Sequence, residues 1–373
     1  MEDISKCEIT EAATNLKTIP DQLTVSLSSK TINLCLTDCR QFHIPEIQES
    51  FAPKASSSAI ELASSIHLRF RKEAQPDKNG QQIEKRAIVE LKTIMELFPH
   101  VQYAPSLAAM SAWLSMVCLV DDMIEQMQPD AAHSILAEVP ALLRPIRHDS
   151  PQLIPAQVTT IALAEQTNRK STGKEDADLA RQIRHIFQTT QNHLLALLPR
   201  LTYDDVCENM IHVFKAMDEE VSFRHSRTTD LDRYLDIRAR TISLSPLFAL
   251  LRHAIGRSQA QTDEIAQLEN CVSITAGLQN DVVGLDKDIA QGESMNYPMV
   301  YASSQGLSNH DQAAVMAGAS EAVDCHDVAA KHAVDMWQNM VRDHSEGVEV
   351  ASSLLVLVST HFKWVSKAKR YAA

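Results

Sequence analysis

Apolar residues recur at intervals of three and four positions along most of the chain from Ala59 onward. This spacing puts them on one face of an α-helix and predicts a series of amphipathic helices. Polar segments interrupt the pattern and predict loops at RKEAQPDKNGQQ, IRHDSPQLIPAQ, TNRKSTGKEDAD and YASSQGLSNHD. Between these loops we expect about nine to eleven helical segments.

The first part of the chain lacks this period and contains Pro20, Pro45 and Pro53. We therefore predict an N-terminal extension over residues 1–55, partly irregular, and one large helical domain over residues 56–373, since no clear linker divides the remainder. Only 9 glycines in 373 residues favour long helices. The predicted fold class is all-α.

Charge and composition limit the partners. The 35 Lys and Arg residues against 48 Asp and Glu residues give a net charge of −13, which repels nucleic acid and anionic membranes. The N-terminal MEDISKCEIT has neither the basic start nor the apolar core of an export signal, and the longest uncharged run, 106–120, is shorter than the roughly 20 residues of a membrane span. The 7 cysteines include no CxxC pair, which favours reduced thiols. We expect a cytoplasmic protein without stable membrane insertion.

Three predicted helices carry the unusual residues. The first covers about 106 to 128, apolar at its start and acidic at its end. The second, near 231 to 252, is expected to break at TISLSP, where Pro246 and hydroxyl residues disfavour a continuous helix. The third, EIAQLENCVSITAGLQNDVVGLDKDIAQGE, is one long helix.

Two clusters fit the pattern DDxxE. In the first, Asp121, Asp122 and Glu125 follow a long uncharged stretch at the end of a helix, where carboxylates gain nothing from the helix dipole and are costly to bury unpaired. Mg²⁺, which prefers carboxylate, water and phosphate oxygens, would compensate them; an exposed, solvated helix end is the alternative. The second cluster, 204–208, follows Thr202 in a pattern similar to a capping box, so we predict a structural role for it.

The third helix carries a polar stripe. Asn280, Gly284 and Asp288 lie four residues apart on one face, with Lys287 beside them. Asn280 and Asp288 offer oxygen ligands, Gly284 leaves room for a water, and Lys287 can contact an anion held by the metal. Taken alone, such a stripe is also compatible with an ordinary helix surface.

The DDxxE cluster and the later NDxx(S/T/G)xxK(E/D) stripe together resemble the two metal-binding motifs of the class I terpene synthases of fungi and bacteria, over roughly residues 60 to 373. The resemblance implies a helical bundle around a central active-site cavity and three Mg²⁺ ions that hold the diphosphate of a prenyl substrate. Gly284 and Asp288 depart from the commonest Ser or Thr and Glu at those positions. The implied metal-site residues are Asp121, Asp122, Glu125, Asn280, Gly284 and Asp288.

Two shorter segments extend the resemblance. YLDIRARTISLSP is similar to the segment that carries the diphosphate-sensing arginine, which implies Arg238 as sensor, Thr241 as linker and the Ile242 carbonyl as effector; Arg240 is the competing sensor, and surface pairing of Arg238 with a nearby Asp is the structural alternative. WVSKAKRYAA is similar to the C-terminal diphosphate-binding pair. The residues implied there, with Lys287 as a further donor, are Arg370, Tyr371 and the cavity residue Trp364.

The resemblance implies Mg²⁺-dependent ionisation and cyclisation of farnesyl diphosphate to a sesquiterpene, with release of diphosphate. The candidate aromatic cavity residues are Trp113, Trp364, Phe98 and Phe214, with core packing as the alternative for the tryptophans. Glu220 and Arg224 are predicted to form a structural pair. A diterpene cyclase using geranylgeranyl diphosphate, a prenyl-elongating transferase and a non-catalytic helical scaffold remain as alternatives. Homodimers are common among such helical domains, so a homodimer is kept beside the monomer.

Overall fold

The computed structural model describes residues 55–144, 172–226, 229–257, 262–308 and 311–366, and the backbone of two strands at 23–27 and 30–34. Twelve α-helices lie in this part of the chain, which confirms the predicted all-α class. They are α1 Ser57–Ala74, α2 Gly80–Leu97, α3 Ala104–Ile124, α4 Pro129–Leu143, α5 Thr172–Leu197, α6 Arg200–Ser226, α7 Leu231–Thr241, α8 Ser245–Ala254, α9 Asp263–Gln291, α10 Tyr297–Ser304, α11 Gln312–Arg342 and α12 Val348–Val365.

The described part of the N-terminal extension is a β-hairpin. Strand β1 (Leu23–Leu27) pairs antiparallel with β2 (Lys30–Leu34), in a register that sets Leu23 opposite Leu34. The backbone of β1 lies beside α9, and that of β2 lies beside α11. The sequence analysis did not predict these strands.

Three segments predicted as loops are partly helical. The segment RKEAQPDKNGQQ contains the end of α1 and the start of α2. The segment TNRKSTGKEDAD contains the start of α5 at Thr172. The segment YASSQGLSNHD begins inside α10, where Tyr297, Met299 and Val300 are buried. Pro298 occupies the first turn of α10, where its missing N–H costs no hydrogen bond. Packing of this short helix on α11 therefore outweighs its weak local pattern.

Helix α3 lies in the core and packs against α1, α2, α5 and α8. It ends at Ile124 rather than at the predicted position 128, and α4 begins at Pro129 after a short turn. By length and mean hydropathy alone, α3 and α12 could each span a bilayer, but 78% and 61% of their apolar windows are buried inside the protein. Burial of this extent is typical of core helices, as predicted for α3.

Helix α9 is the long helix that the sequence predicts. Thr262 caps its start by accepting a hydrogen bond from the Ile265 N–H, and Gly292 ends it at φ 70°, in the left-handed region that favours glycine. The helix packs against α7, α10, α11 and α12. These contacts place the stripe-bearing helix beside α7, which carries Arg238.

Candidate active site at the acidic end of the bundle

A cavity of about 180 Å³ opens where the C-terminal ends of α3 and α6 meet the start of α4. Its wall is aliphatic in its lower part, with Ile124, Met127 and Met217, and charged at its rim. The rim residues are Asp121, Glu125, Glu220, Arg224 and His225. The end of α3 therefore places two acids of the first DDxxE cluster at an opening with an apolar interior.

Arg224 connects this rim with the end of α9. Its Nη2 lies 3.3 Å from Glu220 Oε1 and 3.7 Å from Glu293 Oε2, and Glu293 directly follows the glycine that ends α9. Burial alone would lower the pKa of Arg224, but Glu293, Glu220, Glu125 and Asp121 together raise it above its ordinary value. Arg224 thus brings Glu293, which follows α9, close to the acidic end of α3.

Together with Asp121, Glu125 of the first cluster lines this opening. Loss of solvation raises its pKa, and the nearby carboxylates of Glu293, Glu220 and Asp122 raise it further, while Arg224 acts in the opposite direction. Asp121 is half-buried and Asp122 is exposed. The rim is therefore a region of concentrated negative charge.

The stripe on α9 has an unusual hydrogen-bonding state. Asn280 Oδ1 is buried and has no hydrogen-bond partner within the described part of the chain. Gly284 is buried on the same face. Asp288 accepts a hydrogen bond of 2.8 Å from Asn296 Nδ2. Burial raises the pKa of Asp288, against the Asn296 hydrogen bond and the positive charges of Lys287 and Arg238. A buried amide oxygen without a donor is costly, and a cation would satisfy it.

Arg238 of α7 faces this stripe. Its Nη2 lies 2.8 Å from Asp281 Oδ1, and Asp281 is 1% exposed. The hydroxyl of Tyr234 donates to the other Asp281 oxygen at 2.6 Å, and the Tyr297 N–H donates to it at 3.2 Å. Burial raises the pKa of Asp281, while Arg238 and these two donors lower it. The three donors fix the carboxylate, and the carboxylate fixes Arg238.

A glycine makes the approach of Arg238 to α9 feasible. A Cβ atom on Gly277 would lie 3.1 Å from Arg238 Cγ, closer than an ordinary van der Waals contact. Any larger side chain at this position would push the arginine away from the helix. Gly277 thus contributes to the position of the guanidinium.

Arg240, the competing sensor, points elsewhere. It makes two hydrogen bonds of 2.9 and 2.8 Å to the carboxylate of Glu219 on α6, and it pairs with Asp236 on its own helix. The hydrogen bond to Glu219 is the largest cause of its raised pKa. Of the two arginines, only Arg238 contacts the stripe-bearing helix through the ion pairs described here.

The predicted helix break is present between Thr241 and Ser245. Ser243 has φ 68°, which is uncommon for a residue other than glycine, and its carbonyl accepts a 2.8 Å hydrogen bond from Trp113 Nε1. Pro246 stands four residues after Ile242 and has no N–H to donate to the Ile242 carbonyl. Thr241 Oγ1 is buried without a hydrogen-bond partner among the described residues.

The aromatic residues expected in the cavity lie mostly beneath it. Trp113, Phe98 and Phe214 are at most 1% exposed and belong to the main core. Trp113 packs edge-on against Phe214, which lies one helical turn before the cavity residue Met217. Trp364 is partly buried against the same core, with its ring 5.8 Å from that of His361. The described cavity wall is thus aliphatic, and its expected aromatic character is not found.

The acids of the second DDxxE cluster form ion pairs with arginines and do not line the cavity. Asp204 pairs with Arg200, Asp205 with Arg252, and Glu208 with Arg144, at 3.0, 3.2 and 3.0 Å. The predicted capping box is wrong, because α6 already begins at Arg200 and Thr202 Oγ1 lies 3.2 Å from His253 Nδ1. The three arginine pairs are consistent with a structural role for this cluster, but the role arises from these ion pairs and not from a capping box.

Two predicted site residues cannot be placed, and three residues near the site were not predicted to belong to it. Arg370 and Tyr371 lie outside the described residues, and Lys287 is half-buried beside Asp288. The sequence analysis missed Asp281 and Asn296, and it took Arg224 only as a partner of Glu220. The ND dipeptide could have drawn attention to Asp281; the sequence pattern around Asn296 offers no comparable signal.

The donor set fits Mg²⁺ better than a metal that requires a complete protein cage. Among the residues that the structure describes, no group of three or more His, Cys, Asp or Glu side chains is arranged to hold a metal ion. Mg²⁺ typically uses one or two carboxylates and completes its octahedral shell with water and phosphate oxygens. Asp121, Glu125, Asp288 and the Asn280 amide oxygen supply hard oxygen donors of this kind.

Comparison with known proteins supports this chemistry. A family model described as terpene synthase family 2, C-terminal metal binding, matches residues 112–343, which is more than half of the chain. This interval includes both the DDxxE cluster of α3 and the stripe of α9. A comparison of the sequence with curated proteins gave no match.

Two solved structures of similar fold are terpene synthases from Streptomyces. A linalool/nerolidol synthase from Streptomyces clavuligerus, in complex with 2-fluorogeranyl diphosphate, has a TM-score of 0.59 at 16% identity, covering 84% of this chain and 100% of that chain. A 2-methylisoborneol synthase from Streptomyces coelicolor A3(2), in complex with Mg²⁺ and 2-fluorogeranyl diphosphate, has a TM-score of 0.59 at 13% identity, covering 85% and 93%. At these identities the likeness concerns the fold.

The fold and the matched metal-binding domain define a class I terpene synthase. The chain belongs to terpene synthase family 2, and it is an enzyme of the lyase class.

Proposed function

We propose that this enzyme ionises farnesyl diphosphate with the help of Mg²⁺ and cyclises it to a sesquiterpene, releasing diphosphate. The observation that carries the proposal is the buried oxygen of Asn280, which has no hydrogen-bond partner among the described residues. The same helix carries Asp288 and pairs with Arg238 through Asp281. The pair between Arg224 and Glu293, at the end of this helix, supports a site shared with the acidic end of α3. The substrate class is supported by the related folds, which were solved with fluorinated geranyl diphosphate.

In this proposal, two groups of residues would hold three Mg²⁺ ions. Asp121, assisted by Asp122 and Glu125, would bind from the side of α3. Asn280 and Asp288 would bind from the side of α9, where the lack of a side chain at Gly284 would leave room for a water molecule. When bound, Mg²⁺ supplies positive charge that stabilises the diphosphate as it leaves.

The positive side chains bind the leaving group. Arg238 and Lys287 donate to diphosphate oxygens from α7 and α9, and Arg370 and Tyr371 donate from the C-terminal segment. Arg238 is held by Asp281 in the free enzyme, so a modest movement of its guanidinium toward the opening would couple diphosphate binding to α7. Thr241 then links this movement to the helix break.

The reaction begins with cleavage of the bond between the first carbon and its diphosphate oxygen. The electron pair leaves with diphosphate, and the prenyl chain becomes an allylic carbocation. The electrons of a distal double bond then attack this cation and close a ring, and loss of a proton or addition of water ends the reaction. The Ile242 carbonyl, which cannot accept a hydrogen bond from Pro246, would stabilise positive charge in this proposal.

The aliphatic wall of the cavity has a matching role. Ile124, Met127 and Met217 exclude water, which would otherwise capture the carbocation at an early stage. Trp364 is proposed to contribute a π-face at the C-terminal side of the site. Chain length depends on how far the apolar space extends when substrate is bound.

Geranyl diphosphate is the second candidate substrate, because its fluorinated analogue is bound in both related structures named above. Prenyl elongation is disfavoured, since each acid of the second DDxxE cluster is paired with an arginine.

The direct test offers geranyl, farnesyl and geranylgeranyl diphosphate separately, with Mg²⁺, and identifies volatile products by gas chromatography and mass spectrometry. We expect a cyclic fifteen-carbon product from farnesyl diphosphate and its loss on addition of EDTA. A ten- or twenty-carbon product alone would replace the substrate assignment. A longer diphosphate formed with isopentenyl diphosphate would replace cyclisation by elongation.

A further inference from the structure

Arg224 occupies a distinctive position that the proposed catalytic steps do not use. It lies near the C-terminal end of α6 and lines the cavity beside Asp121 and Glu125. Its Nη2 contacts Glu220 and Glu293, and its Nε is buried with no hydrogen-bond partner among the described residues. The side chain is 27% exposed, so it faces the opening while most of it is buried.

Acidic side chains from several segments lie near Arg224. Four carboxylates, from three separate segments of the chain, act on this single guanidinium: Asp121 and Glu125 at the end of α3, Glu220 on α6 and Glu293 after α9. Carboxylates brought together without a counter-ion repel one another and are costly to desolvate. A cation at this point lowers that cost. In the free protein the nearest cation identified by these contacts is Arg224.

We infer that Arg224 is the counter-ion that holds the acidic rim together before metal binds, and that it competes with divalent cations for the carboxylates of that rim. The inference rests on the proposed metal site. Arg224 would be a positioning residue, because it acts on the acids rather than on the substrate. As Mg²⁺ and diphosphate bind, the carboxylates exchange the guanidinium for metal, and α3 and the segment after α9 are already close together.

A competing cation has an effect opposite to that of a supporting residue. If Arg224 only supported the metal ligands, its removal would weaken metal binding. If it competes, its removal leaves the rim more negative, which strengthens metal binding and destabilises the metal-free protein. The sign of the change in metal affinity therefore separates the two roles.

The experiment measures Mn²⁺ binding to the full-length, substrate-free protein by electron paramagnetic resonance at low ionic strength. Arg224→Met keeps the apolar stem without the charge, and Arg224→Gln keeps a hydrogen-bond donor. Arg184→Met is the matched control, because Arg184 also pairs with a glutamate, Glu138, and is 33% exposed. We expect both neutral Arg224 variants to bind Mn²⁺ about three- to tenfold more tightly than the unmodified protein, and Arg184→Met to bind it equally.

Thermal unfolding supplies a second readout. In EDTA the neutral Arg224 variants should unfold at a lower temperature than the unmodified protein, and Mg²⁺ should raise their unfolding temperature by more. Arg224→Lys retains the charge and should keep Mn²⁺ affinity within about twofold of the original. A variant that folds only when Mg²⁺ is present would also support the inference.

Unchanged or weaker Mn²⁺ binding by both neutral Arg224 variants would overturn the inference that Arg224 competes with the metal. The readout is independent of turnover, so the two proposals can fail separately. If Mn²⁺ affinity does not respond to Arg224 while Asp121→Asn abolishes product formation, the inference fails and the proposed function stands. If Mn²⁺ binding tightens in the Arg224 variants but the unmodified protein consumes no prenyl diphosphate, the inference about Arg224 stands and the proposed function fails.

Discussion

The two DDxxE clusters share a pattern and differ in almost everything that surrounds them. In the second cluster, Asp204, Asp205 and Glu208 each pair with a different arginine, and they lie within the first turns of a helix. In the first, Asp121 and Glu125 lie at the end of a buried helix and share Arg224 with two further acids. The sequence pattern is therefore the same, but the second cluster has one arginine for each acid, whereas the acids of the first cluster share one arginine beside an apolar cavity. The first cluster is thus the better candidate for binding a metal cation.

The largest expected effect separates the clusters by activity. Replacement of Asp121 by Asn removes a metal ligand from the proposed site and should lower turnover at least about a thousandfold, equivalent to about 4 kcal/mol of transition-state stabilisation. Asp204→Asn should change turnover less than about twofold and unfolding free energy by less than about 1 kcal/mol, because its pair with Arg200 is half-exposed. Diphosphate release measures both. Equal losses in the two variants would remove the distinction.

The next largest expected effect is the difference in unfolding free energy between variants of Arg238 and Arg240. Arg238→Gln leaves the buried carboxylate of Asp281 without its charged partner, which should cost about 3 kcal/mol of unfolding free energy, in addition to lost activity. Arg240→Gln removes pairs with the more exposed Glu219 and Asp236 and should cost less than about 1 kcal/mol. Urea denaturation measures both costs. If Arg240→Gln proved the more destabilising, the assignment of their structural roles would have to be exchanged.

Two acids of the proposed metal site, Glu125 and Asp288, also predict a pH dependence of stability, with a smaller expected effect. Burial raises the pKa of Glu125 and of Asp288. Between the ordinary and the raised pKa, the folded state binds more protons than the unfolded state, so the unfolding free energy of the metal-free protein should fall as pH rises.

Urea denaturation at several pH values above about 4 measures this slope. Glu125→Gln combined with Asp288→Asn should flatten it, and saturating Mg²⁺ should oppose it, because metal binds the deprotonated acids. The single variant Asp204→Asn is the control, and it should leave the difference between the Mg²⁺ and EDTA curves unchanged. A slope that survives the double replacement would locate its origin elsewhere.

The smallest stability effect is expected at Gly277. Alanine there would place a Cβ 3.1 Å from Arg238 Cγ and displace the guanidinium, while improving helix propensity. We expect turnover to fall by about tenfold and unfolding free energy to change by less than about 1 kcal/mol. Gly80→Ala is the control, since a Cβ there would meet nothing within 4 Å. Steady-state kinetics beside urea denaturation would show the separation, and unaltered turnover in Gly277→Ala would refute the positional role of the glycine.

Local sequence signals predicted the features that depend on local chemistry. Pro246 and its hydroxyl neighbours predicted the break after α7, and sustained periodicity predicted the length of α9. The end of an uncharged run located Asp121 at the end of a core helix. These features follow from backbone hydrogen bonding and from the helical period, which a single sequence contains.

Contacts between distant segments could not be read in the same way. Arg224 looks like an ordinary helical partner of Glu220 until the fold brings Glu293 to it. Arg238 had local acids as apparent partners, yet it pairs with Asp281 of α9. The sequence left Trp113 between the core and the cavity wall, and its contacts with the Ser243 carbonyl and Phe214 hold it in the core. Each case depends on how helices pack, which local periodicity does not determine.

The most direct test of a shared metal site is crystallographic. Crystals grown with Mn²⁺ and inorganic diphosphate would reveal the metal positions by anomalous diffraction. We predict manganese bound to Asp121 on one side of a diphosphate and to Asn280 and Asp288 on its other side. Manganese at Asp204 or Asp205, or at the two predicted sides without a common diphosphate, would contradict the account.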